Sequence, residues 1–259
     1  MIKGTRKRWH TTSSRVCVRM LFRLRALVAL GCLATLASCS SPGPGNVKNT
    51  SRSFTTVVVD AGHGGRDAGA SRRYGPPEKV ATLDVALRLN RKLRESQFRT
   101  VMTRSSDVFI PLDERVAIGN REKNSVFVSV HFNDSGRRGI RGFETYYSSP
   151  YARSLAERIQ RKLLTTRGAS NRGVRMGRFR VLRNAVYPSV LIECGFLSNR
   201  SDARRVASSS YRELLADKIS EAIVEERYGA GVYNAPPRPP PPPPPGPDAT
   251  DAPPAVGTQ

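Results

Sequence analysis

The sequence predicts a single α/β domain with a mixed, mostly parallel sheet that helices cover on both faces. Between residues 54 and 228, strand-like apolar runs alternate with amphipathic segments at helical spacing, and this alternation is typical of βαβ units. Residues 1–53 and 229–259 show little periodic apolar pattern. The middle stretch is long enough to bury a sizeable core, so we expect one domain between two non-globular ends.

The first predicted strand leads into a glycine-rich turn. Residues 57–59 are all valine, a β-branched residue that favours a buried strand. Gly62, Gly64 and Gly65 follow, and the lack of side chains allows a tight turn and a close approach of the backbone to another group. His63 lies in this turn, so its imidazole is expected at the end of a rigid strand.

An amphipathic helix is predicted next, from Glu78 to about Arg94. Val80, Leu83 and Leu87 recur at helical spacing and are expected on its buried face. Glu78 falls in the first turn, where the helix dipole favours a carboxylate. Such a glutamate either acts as a ligand in a site beyond the end of the helix or only stabilises the first helical turn, where glutamate is common.

The remaining elements continue the alternation. Strands are predicted at residues 99–104, 125–132, 142–147, around 179–182 and from 188 to 193, and helices at 111–123, 151–166 and 211–228. The strand over 125–132 carries His131 near its end, and the strand that begins at 188 has Glu193 as its last polar residue in line. Both side chains are therefore expected at strand ends, as His63 is.

The net charge is strongly positive, with 43 lysines and arginines against 21 acidic residues and a formal charge of +22 at pH 7. A basic chain suggests nucleic-acid binding. Here, however, the basic residues are dispersed, and they are not interleaved with aromatic residues that would stack on bases. We therefore predict no nucleic-acid partner, and interpret the charge as a solvated surface or as attraction to anionic polymers and lipids of the cell envelope.

Residues 1–38 are predicted to be a signal peptide. A basic leader without acidic residues precedes an apolar run over residues 26–37, whose 12 residues are too few to span a bilayer but match the core of a secretory signal. Met20 would give a more compact signal and is a second candidate for the true start. The sequence therefore predicts export.

A lipid anchor is predicted at the end of this signal. Leu36-Ala37-Ser38-Cys39 resembles a bacterial lipobox, in which the cysteine is acylated and becomes the first residue of the mature protein. Ser40 in the next position resembles the pattern that is sorted to the outer membrane. The expected location is the periplasm or cell envelope, with the chain anchored to the outer membrane through a lipid on Cys39. An ordinary cleaved signal with a chance cysteine is the alternative.

Two segments of biased composition flank the domain. Residues 39–53 are rich in small and polar residues and are predicted to be a flexible tether in front of the domain over 54–228. The tail over 229–259 is predicted to be disordered and rich in proline, with an uninterrupted run over 239–245 that favours a stiff polyproline II segment. The tail is either a spacer or a ligand for a proline-recognition partner.

Two histidines and one glutamate form the candidate metal site. The chain has only three histidines, and His63 and His131 both end apolar strands. Together with Glu78 they supply two imidazoles and a carboxylate, a set that holds catalytic zinc and leaves a fourth position for water. Histidines at strand ends without a metal are the alternative. Glu193 is then a candidate base, or a glutamate that is buried against an arginine.

Four stretches carry a resemblance to a known enzyme family. They are Val59-Asp-Ala-Gly-His-Gly-Gly-Arg-Asp-Ala-Gly-Ala70, the pair Glu78-Lys79, Ser129-Val-His-Phe-Asn133 and Val190-Leu-Ile-Glu-Cys-Gly-Phe-Leu-Ser-Asn199. In these motifs the sequence over about 56–228 resembles the zinc-dependent N-acetylmuramoyl-L-alanine amidase family of bacteria and their phages. The resemblance implies that His63, Glu78 and His131 bind Zn²⁺ and that Glu193 is the catalytic base.

The activity implied by the resemblance is hydrolysis of peptidoglycan at the amide between the lactyl group of muramic acid and the L-alanine of the stem peptide. A zinc peptidase that cuts the stem peptide itself and a non-catalytic lipoprotein that binds peptidoglycan are the alternatives. Cys194 is a rival nucleophile, but neighbours on a strand point to opposite faces, and catalysis by cysteine requires a free histidine partner. Phe132 stands where the family often has a small residue and is expected to narrow the groove beside the metal.

Overall fold

A six-stranded sheet forms the centre of the domain in the computed structural model, which describes residues 47–70, 74–137 and 139–231. The predicted signal peptide, the lipid site at Cys39 and nearly all of the proline-rich tail lie outside the described residues. Within the described ranges, no helix combines the length and the apolar character needed to cross a bilayer.

Strands and helices alternate along the described chain. The strands are β1 (Thr56–Ala61), β2 (Arg99–Met102), β3 (Ser125–Asn133), β4 (Phe143–Tyr147), β5 (Asn171–Met176) and β6 (Ser189–Phe196). The helices are α1 (Glu78–Glu95), α2 (Leu112–Arg121), α3 (Pro150–Leu164), α4 (Arg180–Arg183), α5 (Arg200–Ala207) and α6 (Ser209–Tyr228).

The order of the strands across the sheet is β2-β1-β3-β6-β4-β5. The four strands β2, β1, β3 and β6 run parallel to one another, β4 runs antiparallel to β6, and β5 runs parallel to β4. Parallel neighbours need long crossover connections, and helices supply them here, as the alternation in the sequence predicts. The predicted fold class, a single α/β domain with a mixed and mostly parallel sheet, is confirmed.

Helices cover both faces of the sheet, as predicted. On one face, called the main face, α1, α3 and α6 pack on alternate strand residues such as Val57 and Val59 of β1. On the opposite face, called the cleft face, Val58 and Phe127 pack against Val116 of α2 and against α4. The two faces arise because successive side chains of a strand point in opposite directions.

The buried face of α1 differs from the prediction. Val80 and Leu87 are 49% and 39% exposed, whereas Ala81, Val85 and Leu89 are buried. Both sets recur at helical spacing, so periodicity alone does not distinguish them. The buried set begins with Ala81, whose side chain is smaller than that of Val80. A small side chain at this position allows the first turn of α1 to pack closely on the sheet.

The segment between α3 and β6 also differs from the prediction. β5 lies at Asn171–Met176 and not around Phe179, and the residues after Phe179 form the single turn of α4. β5 is an edge strand whose residues are all partly or fully exposed, so it lacks the regular apolar pattern that identifies a half-buried strand. No helix is predicted from the sequence at α5, although Asn199 caps it by accepting hydrogen bonds from the amides of Ser201 and Asp202.

Residues 47–53 belong to the domain, although the prediction placed them in the flexible tether. The backbone amide of Lys48 donates to the carbonyl of Val186 at 2.8 Å, and the hydroxyl of Thr50 donates to the carbonyl of Ser125 at 2.6 Å. These bonds fix the segment to the start of β3 and to the loop before β6. Composition indicates a polar segment, but it does not show which backbone groups find partners.

A network of charged side chains joins α1 to α6. Glu213 of α6 accepts hydrogen bonds from Arg88, from Arg91 at 2.9 Å and from Lys92 at 2.6 Å, and Lys92 also pairs with Asp217 at 2.5 Å. The side chains of Lys92 and Glu213 are only 3% and 8% exposed. Burial alone would raise the pKa of Glu213, but the hydrogen bonds from Lys92 and Arg88 outweigh it and lower the pKa to about 2.

We predict that Glu213→Gln destabilises the domain by about 3 kcal/mol at pH 7, because it leaves buried Lys92 with one carboxylate fewer. The folded-state pKa of Glu213 lies below its ordinary value of 4.5, so the stabilisation is present above that pH and is lost as the pH falls toward 2. Urea unfolding at pH 7 and at pH 3 should therefore show a smaller difference from wild type at the lower pH. Glu157→Gln, which removes an exposed partner of Arg153 on α3, is the control; equal losses of stability in the two variants would contradict the role of Glu213.

Candidate metal centre

The structure brings all four predicted site residues together at one edge of the sheet. His63 follows the end of β1, His131 lies near the end of β3, and Glu193 is its direct partner on β6. Glu78 is the first residue of α1. Because β1, β3 and β6 are parallel, their carboxyl ends meet at the same edge, where open α/β sheets bind their ligands.

The three predicted ligands converge on one point. Nε2 of His63 lies 3.0 Å from one carboxylate oxygen of Glu78, and Nδ1 of His131 lies 3.0 Å from the other. The two imidazole rings meet edge to face with their centroids 4.9 Å apart. One donor atom from each of the three residues lies within 4.8 Å of the others, so a single cation can contact all three.

Backbone amides orient Glu78, and a second carboxylate orients His63. The amides of Ala70 and Phe132 donate to the two oxygens of Glu78, at 2.8 and 2.9 Å. Nδ1 of His63 donates to Asp67 at 2.9 Å, which leaves Nε2 to face Glu78. Sequence reasoning missed Asp67; its position in the glycine-rich stretch four residues after His63 was the available signal.

A buried ion pair fixes the turn that carries His63. The guanidinium of Arg115 donates to Asp60 at 2.9 Å, to the carbonyl of Ala61 at 2.6 Å and to the carbonyl of His63 at 2.5 Å. Burial would raise the pKa of Asp60, but the charge of Arg115 and a hydrogen bond from Ser129 keep it below its usual range. His63 has a φ of 61°, a left-handed conformation that few residues other than glycine adopt.

Arg104 ties this turn to α1. It donates to the carbonyl of Ala61 at 2.9 Å, to the carbonyl of Gly62 at 2.8 Å and to the carbonyl of Lys79 at 2.9 Å. Gly62 precedes His63 and Lys79 follows Glu78, so one guanidinium sets the distance between the backbones of two ligands. Sequence reasoning did not identify either arginine, because nothing in a dispersed basic composition distinguishes a buried arginine from a solvated one.

The pKa shifts of His63, His131 and Glu78 all favour positive charge at the site. Burial alone would lower the pKa of His63 and of His131, but hydrogen bonds to Glu78 and its charge raise both above their ordinary value. Burial would raise the pKa of Glu78, yet the hydrogen bonds from the two histidines hold it well below its usual range. These opposite shifts arise because an ionised carboxylate and a cationic imidazole stabilise each other at this distance.

Glu193 lies beside this triad and is nearly buried. Its residue is 8% exposed, and its Oε2 has no hydrogen-bond partner among the described residues. Burial raises the pKa of Glu193 to about 7; the positive charge of His131 opposes the shift, and the negative charges of Glu78 and Glu144 add to it. A carboxylate oxygen without a hydrogen-bond partner at this edge of the sheet is free to accept a proton.

A family model described as N-acetylmuramoyl-L-alanine amidase matches residues 57–225 of the chain. The chain belongs to the N-acetylmuramoyl-L-alanine amidase family. The match covers all of the sheet except Thr56 and every residue of the triad, so the family resemblance seen in the sequence motifs is confirmed. Membership assigns to this chain the hydrolysis of peptidoglycan at the N-acetylmuramoyl-L-alanine amide.

Relatives of this amidase agree with the assignment. The chain is 39% identical over 211 residues to the uncharacterized protein YqiI of Bacillus subtilis strain 168. This alignment covers 80% of this chain and 97% of YqiI. It is 38% identical over 173 residues to the N-acetylmuramoyl-L-alanine amidase LytC of the same strain. This alignment covers 65% of this chain and 35% of LytC. The chain thus matches about a third of the length of LytC.

Solved amidase structures have the same fold. The N-acetylmuramoyl-L-alanine amidase AmiC2 of Nostoc punctiforme is similar with a TM-score of 0.64 and 37% identity, over 66% of this chain and 95% of that one. The catalytic domain of CwlV, an N-acetylmuramoyl-L-alanine amidase from Bacillus (Paenibacillus) polymyxa var. colistinus, is similar with a TM-score of 0.62 and 34% identity, over 66% of this chain and 97% of that one.

Two residues next to the amidase site point away from it. Cys194 is buried on the main face, and burial raises the pKa of its thiol well above the ordinary value, so it is not a nucleophile. Phe132 is 1% exposed and packs in the same core. The prediction that Phe132 narrows the groove is therefore wrong, because strand neighbours of His131 face the other side of the sheet.

A cleft of about 410 Å³ opens beside the amidase triad on the cleft face. His63 and His131 line one side of it. The other lining residues are four charged side chains, Asp60, Asp67, Arg115 and Arg180, and an apolar wall of Phe109, Ile110, Leu112, Phe179, Val181 and Leu191. A concave site with a few convergent polar groups and one apolar wall is the usual form of a substrate site.

We predict that Gly62→Ala displaces His131 and weakens metal binding by about 10- to 100-fold, the usual loss when the support of a ligand is disturbed. A Cβ at residue 62 would lie 2.4 to 2.7 Å from three atoms of the His131 ring, closer than van der Waals contact allows. Zinc retained after dialysis against a graded series of chelator concentrations measures the effect. Gly136→Ala, where an added Cβ meets nothing within 4 Å, is the control; wild-type retention of zinc by Gly62→Ala would show that the ring is not a ligand or is free to move.

Proposed function

We propose that this amidase holds a zinc ion between His63, Glu78 and His131 and uses Glu193 as its general base. The observation that carries the proposal is the convergence of three donor atoms within 4.8 Å of one another. Next to them, Oε2 of Glu193 is buried and has no partner among the described residues. A purely structural group of ion pairs would satisfy such an oxygen, because a buried unpaired carboxylate oxygen is costly.

The set of donors fits zinc. Two imidazole nitrogens and one carboxylate oxygen match the three protein ligands of catalytic zinc sites, which keep a further position open. Calcium and magnesium prefer sites that consist of oxygen atoms alone. The hydrogen bond from Nδ1 of His63 to Asp67 also matches the outer contact that orients a metal-binding histidine.

Glu193 has the position and the chemistry of the base. Bound zinc would acidify a water molecule and polarise the scissile carbonyl. Glu193 takes a proton from the attacking water through its unpaired oxygen and returns it to the nitrogen of L-alanine as the amide bond breaks. The cross-strand pairing of Glu193 with His131 keeps this oxygen next to the triad through both transfers.

The products distinguish this function from its alternatives. An amidase releases the intact stem peptide with a new free amine on L-alanine. A peptidase that acts within the stem would release a shorter fragment and leave L-alanine attached to the muramic acid. A protein that only binds peptidoglycan would release neither. Family membership supports the first outcome.

We predict that Glu193→Gln retains zinc and the fold but lowers turnover by about 10²- to 10⁴-fold, the usual contribution of a positioned base. Glu78→Gln should lose zinc first and activity as a result, because the amide is a weaker ligand for the metal. Zinc content is measured in each purified variant, and turnover is measured as free L-alanine amine released from peptidoglycan.

The same pair of variants can overturn the assignment. Loss of zinc from Glu193→Gln together with full zinc in Glu78→Gln would mean that the two glutamates have exchanged roles. New termini inside the stem peptide, in place of free L-alanine amine, would mean that the enzyme is a peptidase. Wild-type turnover after complete removal of zinc by a chelator would exclude zinc as the cofactor.

We also propose that the enzyme is exported and anchored to the outer membrane through a lipid on Cys39. The signal-like residues 1–38 and the lipobox support this proposal. One acyl group alone gives only marginal membrane binding, so the anchor requires the multiple acyl chains of a lipoprotein. The proline-rich tail would then extend from the far end of the chain as a spacer or as a ligand for a proline-recognition partner.

Cys39→Ser is predicted to move the protein from the membrane fraction to the soluble fraction or to block processing of the signal. Fractionation of cells that express each form, followed by mass spectrometry of the mature N-terminus, measures this. Cys32→Ser, which alters a cysteine inside the apolar run, is the control. An unmodified mature N-terminus at a residue other than Cys39 would refute the anchor.

A further inference from the structure

Two arginines of the edge strand gather on a buried glutamate beside the catalytic edge. Glu144 of β4 is 3% exposed and is the direct cross-strand partner of Glu193. Arg175 of β5 donates to one oxygen of Glu144 at 2.5 Å, and Nε of Arg172 lies 3.7 Å from the other. Because Glu144 and Glu193 are cross-strand neighbours, the two guanidinium groups lie on the cleft face.

This cluster carries one positive charge more than Glu144 compensates. The side chain of Arg172 is 30% exposed and lies over the ring of Phe196 at 5.2 Å; its Nε is buried, so only its outer N–H groups are open to a ligand. Arg175 uses two of its five N–H groups, one for Glu144 and one for the carbonyl of Arg172, and its side chain is 56% exposed. Exposed N–H groups that a buried carboxylate holds in place form a ready site for a second carboxylate.

The distance to the catalytic base fits a substrate that continues beyond the scissile amide. β5 lies two strand spacings, or about 10 Å, from β6, and its two guanidinium groups contact Glu144, which is one strand spacing, or about 5 Å, from Glu193. The donors therefore lie about 5 to 10 Å from the base, and an extended peptide covers this distance in about two to three residues. Stem peptides of peptidoglycan carry free carboxylates on the residues that follow L-alanine, so an acidic group arrives at the position of the two arginines.

The cleft itself, whose lining does not include Arg172 or Arg175, offers less to an anion. Arg180 is held there by Asp113 through two hydrogen bonds of 2.5 Å, so its charge is compensated. The apolar wall of the cleft includes Phe179 and Leu191. Arg66 stacks over the ring of Phe109 at 4.0 Å and is a single exposed cation, without a carboxylate to hold it in place.

We propose that Arg172 and Arg175 form a subsite that binds a free carboxylate on the second or third residue of the stem peptide. The inference rests on the proposed function, because it needs the scissile amide at the zinc site next to Glu193. The peptide side of the substrate then crosses β4 and β5, and the glycan side lies toward the apolar wall. The enzyme prefers an acidic stem peptide over one in which that carboxylate is amidated or missing.

The test uses two pairs of soluble muropeptides and measures released L-alanine amine. In the first pair the second residue is D-glutamate or D-isoglutamine, and in the second pair the third residue is diaminopimelate or lysine. Wild type should prefer the acidic member of at least one pair by about 10-fold or more in kcat/KM, mainly through KM, which is the usual value of a charge-assisted hydrogen bond. In Arg172→Gln/Arg175→Gln this ratio should fall to about one.

Three further variants keep the result interpretable. Arg172→Gln/Arg175→Gln/Glu144→Gln also removes the carboxylate that would otherwise be buried without a cation, so a fold defect of the double variant does not decide the outcome. Arg94→Gln/Arg153→Gln removes the same charge from α1 and α3, away from the cleft, and should keep the preference of wild type. Arg66→Gln tests whether the exposed arginine that stacks over Phe109 binds the carboxylate instead.

The outcomes separate this inference from the proposed function. Equal kcat/KM for both members of both pairs in wild type overturns the subsite and leaves the amidase reaction intact. A preference that survives in the double and triple arginine variants, or that disappears in Arg66→Gln alone, also overturns it. Failure of wild type to release L-alanine amine from any of the four muropeptides counts against the proposed function itself.

Discussion

The buried ion pair between Asp60 and Arg115 is the interaction on which the rest of the site depends. The two side chains are 0% and 2% exposed and lie 2.9 Å apart. A pair removed from water in this way is stable only when further hydrogen bonds satisfy it, and Arg115 finds them in the carbonyls of Ala61 and His63. The same bonds that satisfy the arginine hold His63 in its left-handed conformation, so the charge pair and the strained backbone of His63 stabilise each other.

The sheet distributes the amidase chemistry over separate strands. The parallel strands β1 and β3 bring two imidazoles to one edge, and the start of α1 brings the carboxylate between them. The proposed base, Glu193, comes from β6, which is also the strand where the direction changes, because β4 pairs with it antiparallel. A parallel sheet alone would place only carboxyl ends of strands at this edge; the antiparallel neighbour brings the start of β4, with Glu144, to the same place.

The sequence predicted the fold class, and it selected four candidate site residues that the structure brings together, because both depend on local signals. A valine-rich strand, a glycine turn or a motif around His63, His131 or Glu193 is each a short run of consecutive residues. It failed where two patterns compete or where no pattern exists. In α1 the stripe that contains Val80 and the stripe that contains Ala81 are equally periodic, and only the sheet decides between them. The roles of Arg104 and Arg115 depend on contacts with residues far along the chain, which composition does not show.

The attachment of residues 47–53 places the start of the domain at the end of the sheet opposite the triad. Thr50 binds the carbonyl of Ser125 at the beginning of β3, whereas His131 lies six residues further along that strand, about 20 Å away. The end of α6 lies at the same side as Thr50, since Tyr228 packs on Phe98 just before β2. Both ends of the domain therefore leave from the amino edge of the parallel strands. Both exits lie at the end of the strands opposite the triad, so the cleft faces away from the points where the chain enters and leaves the domain, and peptidoglycan can reach it without passing them.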